Sequence, residues 1–275
     1  MQRRETFAAI LFLTPSLIGF TVFLVFPILF SLVLAFTDWD LISGLSNIKL
    51  IGLGNFTELF QDQTFYTSLK NNLIFTFTVV PITMLLSLLI AMVLNEKVYG
   101  VGILRLAFFM PYITTIVAVS IVWLALFHPT QGPINQLLVS LGVENPPGWL
   151  SSPKFALLTI SIMMIWIGIG FDLIIYMAAL KGVPQHLYEA ATIDGATSFR
   201  KFLHVTLPMI SPATFFLFIT RIIASFEVFG PINIMTEGGP GDSTSVLVFE
   251  LYKQAFQFYR MGYGSAIAWV LFLII

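Results

Sequence analysis

The chain has 275 residues, 57% of them hydrophobic and 10% charged, with a mean hydropathy of +0.93 and a net charge of −1. Soluble domains carry about a quarter charged residues, so this composition describes a membrane protein built mostly of spans, with no room for a sizeable soluble domain. The balanced charge argues against a nucleic-acid partner, and the absence of cysteine excludes disulfides, thiolate metal sites and a cysteine nucleophile.

A helix needs about 20 mostly apolar residues to cross the hydrocarbon core. In chain order the expected spans are residues 7–36, 72–94, 103–127, 155–180, 205–229 and 262–275. Arg3 and Arg4 precede the first apolar run, as in a signal peptide. That run stays uncharged over residues 7–37, too long for a signal peptide, so it reads as a retained span. The last run is short for a crossing at Ile275, which predicts a native chain that continues. Pro15, Pro27, Pro81, Pro111 and Pro208 lie inside or at the ends of spans and predict kinks.

Cations set the orientation. Residues 1–6, 95–105 and 181–204 carry Arg3, Arg4, Lys97, Arg105, Lys181, Arg200 and Lys201. The opposite loops have only Lys49, Lys70, Lys154, Lys253 and Arg260 in roughly twice the length. The first set is expected in the cytoplasm, with the N-terminus. The outer loops carry structure of their own: a short apolar stretch over residues 134–141, Trp149 at the interface, a turn over 236–241 and a helical stretch over 246–258.

The most informative stretch is polar and lies between two spans, at residues 182–204. Pro184 suits the first turn of a helix. Leu187, Ala190 and Ala191 then share one helical face. Gly195 accepts the positive φ of a helix C-terminus, and Thr197 or Ser198 can cap a second short helix carrying Phe199, Phe202 and Leu203 on one side. The prediction is two short helices joined at a glycine.

No enzyme constellation is present in the sequence. The run of residues 238–245 is glycine-rich but lacks the lysine of a phosphate-binding loop, and His128, His186 and His204 have no metal-ligand spacing. No catalytic, cofactor-binding or metal-binding residue is expected. Ionisable groups inside spans are site candidates by default. Asp172, Arg221 and Glu227 either line a translocation path or serve as a structural ion pair and an interfacial charge. Trp166 and Phe226, with Tyr176, either stack on a sugar or pack.

Glu189-Ala190-Ala191, Asp194-Gly195-Ala196, Val205-x-Leu207-Pro208 and Pro212 together resemble the EAA motif of ABC importer permeases of the binding-protein-dependent carbohydrate-uptake type. Val205 stands where that family usually has isoleucine. The resemblance extends to Asn55-Phe56, Gly132-Pro133-Ile134-Asn135, Trp149-Leu150, Gly238-Gly239-Pro240 and Gly262-Tyr263-Gly264-Ser265-Ala266, and so spans nearly the whole chain. It implies an all-α, six-helix transmembrane bundle of the type I ABC importer kind in a bacterial or archaeal inner membrane, with a cytoplasmic coupling helix. It also implies partners: two ATPase subunits that use ATP and Mg, a second and usually different permease, an extracytoplasmic solute-binding protein, and surrounding lipid. The coupling residues it implies are Leu187, Tyr188, Glu189, Ala190, Ala191, Asp194, Gly195, Phe199, Leu207 and Pro208. The competing reading is an ion-coupled secondary transporter, which needs repeats or broken helices with midplane carboxylates. Asp172 is the one acid suited to that role, and no repeat is evident.

Overall fold

Backbone N–H and C=O groups cannot be left bare in hydrocarbon, so an apolar chain must satisfy them within helices. The computed structural model describes residues 2–42, 44, 48–95 and 99–275, with side chains from residue 10 onward. Lys97 and the side chains of Arg3 and Arg4, which carry part of the expected charge bias, lie outside that description.

In chain order the helices are α1 (Gln2–Phe20), α2 (Phe26–Leu34), α3 (Gly54–Leu59), α4 (Gln63–Asn95), α5 (Val101–Ile113), α6 (Ile116–Leu126) and α7 (Pro133–Ser140). They continue with α8 (Ala156–Lys181), α9 (Gln185–Ile193), α10 (Ser198–Lys201), α11 (Leu207–Phe226), α12 (Gly230–Met235), α13 (Leu247–Tyr252) and α14 (Met261–Ile274). A short antiparallel ladder pairs β1 (Thr37–Asp38) with β2 (Lys49–Leu50), Thr37 opposite Leu50. Helical stretches long and apolar enough to cross a membrane cover Ile10–Leu34, Gln63–Asn95, Ala156–Lys181 and Ser198–Met235.

Two π turns explain how proline is accommodated. Thr21–Val25 lies just before Pro27, and Phe202–Thr206 just before Pro208. Proline lacks the N–H that would close the preceding turn and its ring crowds the carbonyl there, so the widened turn takes up both defects without breaking the helix.

The stretch 103–127, expected as a single span, is two helices bent by 96°. Thr114 is extended at ψ 144°, and Thr115 at ψ 131° is the N-cap of α6, accepting from the Ala118 N–H at 3.4 Å. Pro111 weakens the end of α5, and the threonine hydroxyls supply local partners that let the backbone leave the helix. Thr114 Oγ1, for instance, donates to the Met110 carbonyl at 2.9 Å.

The contacts divide the chain into two units. The first comprises residues 1–65 and 250–275. Its joints are polar and long-range: Asn55 Nδ2 donates to the carbonyls of Ala35 and Thr37, both at 2.9 Å. Tyr263 Oη donates to Asp62 Oδ2 at 2.7 Å, Arg260 pairs with Glu58 at 2.6 Å, and Trp269 Nε1 reaches Ser31 Oγ at 3.2 Å.

The second unit comprises residues 66–249. Phe75, Ile160, Met163, Ile232 and Phe249 belong to one buried cluster, and Met84, Leu173, Tyr176, Ile210 and Leu217 to another. The N-terminal part of α4 is pinned by polar side chains. Asn71 Nδ2 donates to the carbonyls of Asp242 at 2.8 Å and Ser245 at 2.9 Å, while Thr76 Oγ1 meets Ser225 Oγ at 2.8 Å. Trp149, expected at the interface, is half-buried against Phe127 and Phe155, and its indole N–H donates to Asn135 Oδ1 at 2.7 Å. Asn135 in turn donates to the carbonyls of Pro129 and Pro147, at 2.8 and 3.1 Å, which closes the loop between α6 and α8.

α5 crosses α8 at Gly170. A Cβ there would collide with the Phe108 carbonyl and come within 2.9 Å of the Phe109 Cα, so only glycine permits this backbone-to-backbone approach. Gly170→Leu is therefore expected to lower stability by about 3 kcal/mol or more through overpacking. Thermal unfolding of the detergent-purified protein checks this; a midpoint equal to that of the wild type would contradict the close crossing.

Candidate functional site

Two places gather the singled-out residues. The first is the elbow between α8 and α11. Pro184, at φ −62° and ψ 129°, occupies the N-cap of α9 rather than its first turn. α9 ends in a Schellman motif: the Ala196 N–H donates to the Ala191 carbonyl at 2.8 Å and the Gly195 N–H to the Thr192 carbonyl at 3.0 Å. Gly195 sits at φ +72° with nothing within 4 Å of a built Cβ, so backbone conformation and not space demands glycine.

Thr197 then caps α10, accepting from the Arg200 N–H at 3.4 Å. Two struts hold the bend. Lys201 Nζ donates to Thr192 Oγ1 at 2.8 Å, and the Tyr188 hydroxyl meets Thr206 Oγ1 at 2.9 Å. The second strut ties α9 to the π turn that leads into α11, whose first turn holds Leu207 and Pro208.

Leu187, Tyr188 and Ala191 are half-buried, while Glu189, Ala190, Asp194 and Gly195 stand exposed. The most exposed apolar groups are Ile193 at 87% and Phe199 at 70%. Ile193 was missing from the expected set, although it lies three residues beyond Ala190 and so extends the same face. Ile193 on α9 and Phe199 on α10 thus leave apolar groups uncovered at the elbow.

The second place lies at mid-span. Arg221 Nε donates to Asp172 Oδ1 at 2.8 Å, and Nη2 donates to the Gly168 carbonyl at 2.7 Å. The guanidinium also lies over the Phe171 ring at 5.6 Å. Asp172 is fully buried and Arg221 15% exposed, so these two residues form an ion pair joining α8 to α11. A Cβ at Gly168 would meet Thr83 Cγ2 at 2.8 Å and Arg221 Nη1 at 3.2 Å; glycine there makes the room in which the guanidinium lies.

Trp166 is 43% exposed, with its ring 5.9 Å from that of Trp123. The two indoles, with Pro111 and Thr114, line a groove of about 320 Å³ at the bend between α5 and α6. Trp123 escaped the sequence reading because nothing local distinguishes it from an ordinary core residue. Phe226 is buried and presents no open ring face in this conformation, and Glu227 is the exposed C-cap of α11.

Residues 100–275 match the family described as "Binding-protein-dependent transport system inner membrane component". The chain is 37% identical to "Probable ABC transporter permease protein YesP" of Bacillus subtilis (strain 168), over 99% of this chain and 88% of that protein. It is 34% identical to "Lactose transport system permease protein LacF" of Rhizobium radiobacter, over 96% of this chain and 89% of that protein. Its fold matches a chain in the crystal structure of "a bacterial ABC transporter involved in the import of the acidic polysaccharide alginate", with a TM-score of 0.84, 25% identity, and 98% and 92% of the two chains covered. The chain therefore belongs to the inner-membrane components of binding-protein-dependent transport systems: it is a multi-pass permease subunit of an ABC importer.

Proposed function

We propose that the chain forms half of a translocation path for a sugar or related polar solute, and that ATPase subunits on separate polypeptides drive it through the elbow at residues 184–204. The observation that carries this reading is the elbow itself. Its bend is fixed by the Schellman motif and two side-chain struts, while Glu189, Ala190, Ile193 and Phe199 face outward. A lever must be stiff within and bare where it is gripped. The ATPases, two to a transporter, bind ATP and Mg; this chain binds neither. They must hold the elbow in both states while the spans change their opening, since only interactions that differ between states move an equilibrium.

A second permease, a different chain, completes the path. The nearly unburied helix over Ile10–Leu34 supports this, since it leaves a long apolar surface for another chain or lipid to cover. A solute-binding protein delivers the solute to the opposite side of the membrane, and the solved alginate importer was crystallised "in complex with alginate pentasaccharide-bound periplasmic protein". The elbow and N-terminus face the cytoplasm, as the cation bias favours. A sugar fits the names of the relatives, which include permeases for lactose and arabinooligosaccharides. It also fits the paired indoles Trp123 and Trp166, which offer apolar faces with polar edges.

Two measurements test this reading. A β-branched residue at φ +72° is strained by about 1–2 kcal/mol, so Gly195→Val is expected to cut ATP-dependent uptake about tenfold in vesicles holding the complete importer, with membrane insertion unchanged. Uptake near the wild-type rate would defeat the lever. The chain has no cysteine of its own, so Glu189→Cys gives a single thiol. An impermeant maleimide should label it in inside-out vesicles and not in intact cells; labelling from outside would reverse the orientation.

A further inference from the structure

The loop between α6 and α8 is tied to the start of a span. α8 begins at Ala156 and hands the chain to the elbow at its other end, so its first turn marks the membrane boundary on the side away from the elbow. Phe127, just past α6, meets the Trp149 ring at 5.5 Å, and Trp149 meets Phe155, the N-cap of α8, at 5.9 Å. Asn135 of α7 accepts from the Trp149 indole N–H at 2.7 Å and donates to the carbonyls of Pro129 and Pro147. α7 is therefore held at the level where a span ends, a level at which tryptophan is favoured.

α7 has three unlike sides. Each helical residue advances about 100°, so the Leu137–Leu141 pair, the Gln136–Ser140 pair and Asn135 point in directions roughly 100–140° apart. Asn135 is buried against the protein. Gln136 and Ser140 are exposed and bond locally, Gln136 Nε2 to the Gln131 carbonyl at 3.3 Å and Ser140 Oγ to the Leu137 carbonyl at 2.7 Å. Leu137 and Leu141 are bare, at 60% and 72% exposure, while Ile134 and Leu138, between them and the buried side, are half-buried. One side thus meets protein, one suits water, and the third is apolar and uncovered. Val139, exposed outside that stripe, is a single apolar residue of the kind ordinary surfaces carry.

The cover for the apolar side must be permanent, because leucines left bare whenever a soluble partner departs would be an aggregation liability. Lipid is permanent and lies at this level. Residues 128–153 carry a single charge, Glu144, so little opposes their seating against it. We propose that α7 is an interfacial anchor. It lies in the membrane surface away from the elbow, with Leu137 and Leu141 sunk among the upper acyl segments and Gln136 and Ser140 turned to water. Through Asn135 and Trp149 it fixes the depth at which α6 and α8 are joined.

The chain has no cysteine, so Leu137→Cys, Leu141→Cys and Gln136→Cys each place one thiol-linked fluorophore on a chosen side of α7. All three side chains are exposed, so the substitutions leave the fold unchanged. The complete importer is reconstituted in phosphatidylcholine vesicles, with the cysteine-free chain giving the background from other subunits. A nitroxide high on the lipid acyl chain is expected to quench the label at 137 and 141 at least about threefold more than at 136, and aqueous iodide to quench in the reverse order. Equal quenching at all three positions overturns the anchor. So does shielding at 137 that appears only when the binding protein is added, which makes the stripe a docking surface for that protein. Shielding of 137 from both quenchers in the absence of the binding protein also overturns it, the cover then being another subunit.

Discussion

Lipid supplies no hydrogen bonds, and that constraint governs this chain at every joint. Several polar side chains that enter the bundle find partners on distant elements and act as cross-links. Asn55 holds the backbone after α2, Asn71 and Thr76 hold the N-terminal part of α4, and Asn135 closes the loop before α8. The Arg221–Asp172 pair is the strongest case. Breaking a buried ion pair from one side leaves an uncompensated charge, which is far more damaging than never having had the pair. Hydrophobic packing fills the space between spans, but it is the amides and this ion pair that specify which surfaces meet.

Where the backbone itself departs from the helix, the same constraint explains the company it keeps. The bend at Thr114–Thr115 frees backbone groups at membrane depth, and two indoles line a groove beside it while Tyr112 stacks on Phe171. Irregular backbone in a membrane is tolerated where it is buried or lines a wet cavity. A bent span with a nearby midplane acid is also what an ion-coupled transporter would require. Here the acid is already neutralised by Arg221, and the family match decides for the ABC importer.

The elbow was legible in the sequence because its determinants are local. A glycine at positive φ, a threonine cap and a proline before the first helix act within a few residues, and their order in the chain is their order in space. Ile193 shows the limit even there: its face could be counted, but its exposure depends on what α9 packs against. The bend in the third span was not legible, because Thr114 and Thr115 are β-branched residues that spans accept routinely, and hydropathy does not register a change of direction. Asp172 and Arg221 stood out as charges in apolar surroundings, yet only the packing of α8 on α11 makes them partners. Phe226 looked like an available ring for the same reason that Trp123 went unnoticed: aromatic residues in a span differ by neighbours, not by pattern.

The π turn ahead of Pro208 has a geometric consequence. An α-helix advances about 100° around its axis per residue, so the one surplus residue of the widened turn swings everything upstream by that angle relative to an unbroken helix. The proline thereby sets the compass bearing at which the elbow leaves the helix axis. The heading at which the exposed Ile193 and Phe199 leave the bundle is thus written into a single imino acid several residues away from them.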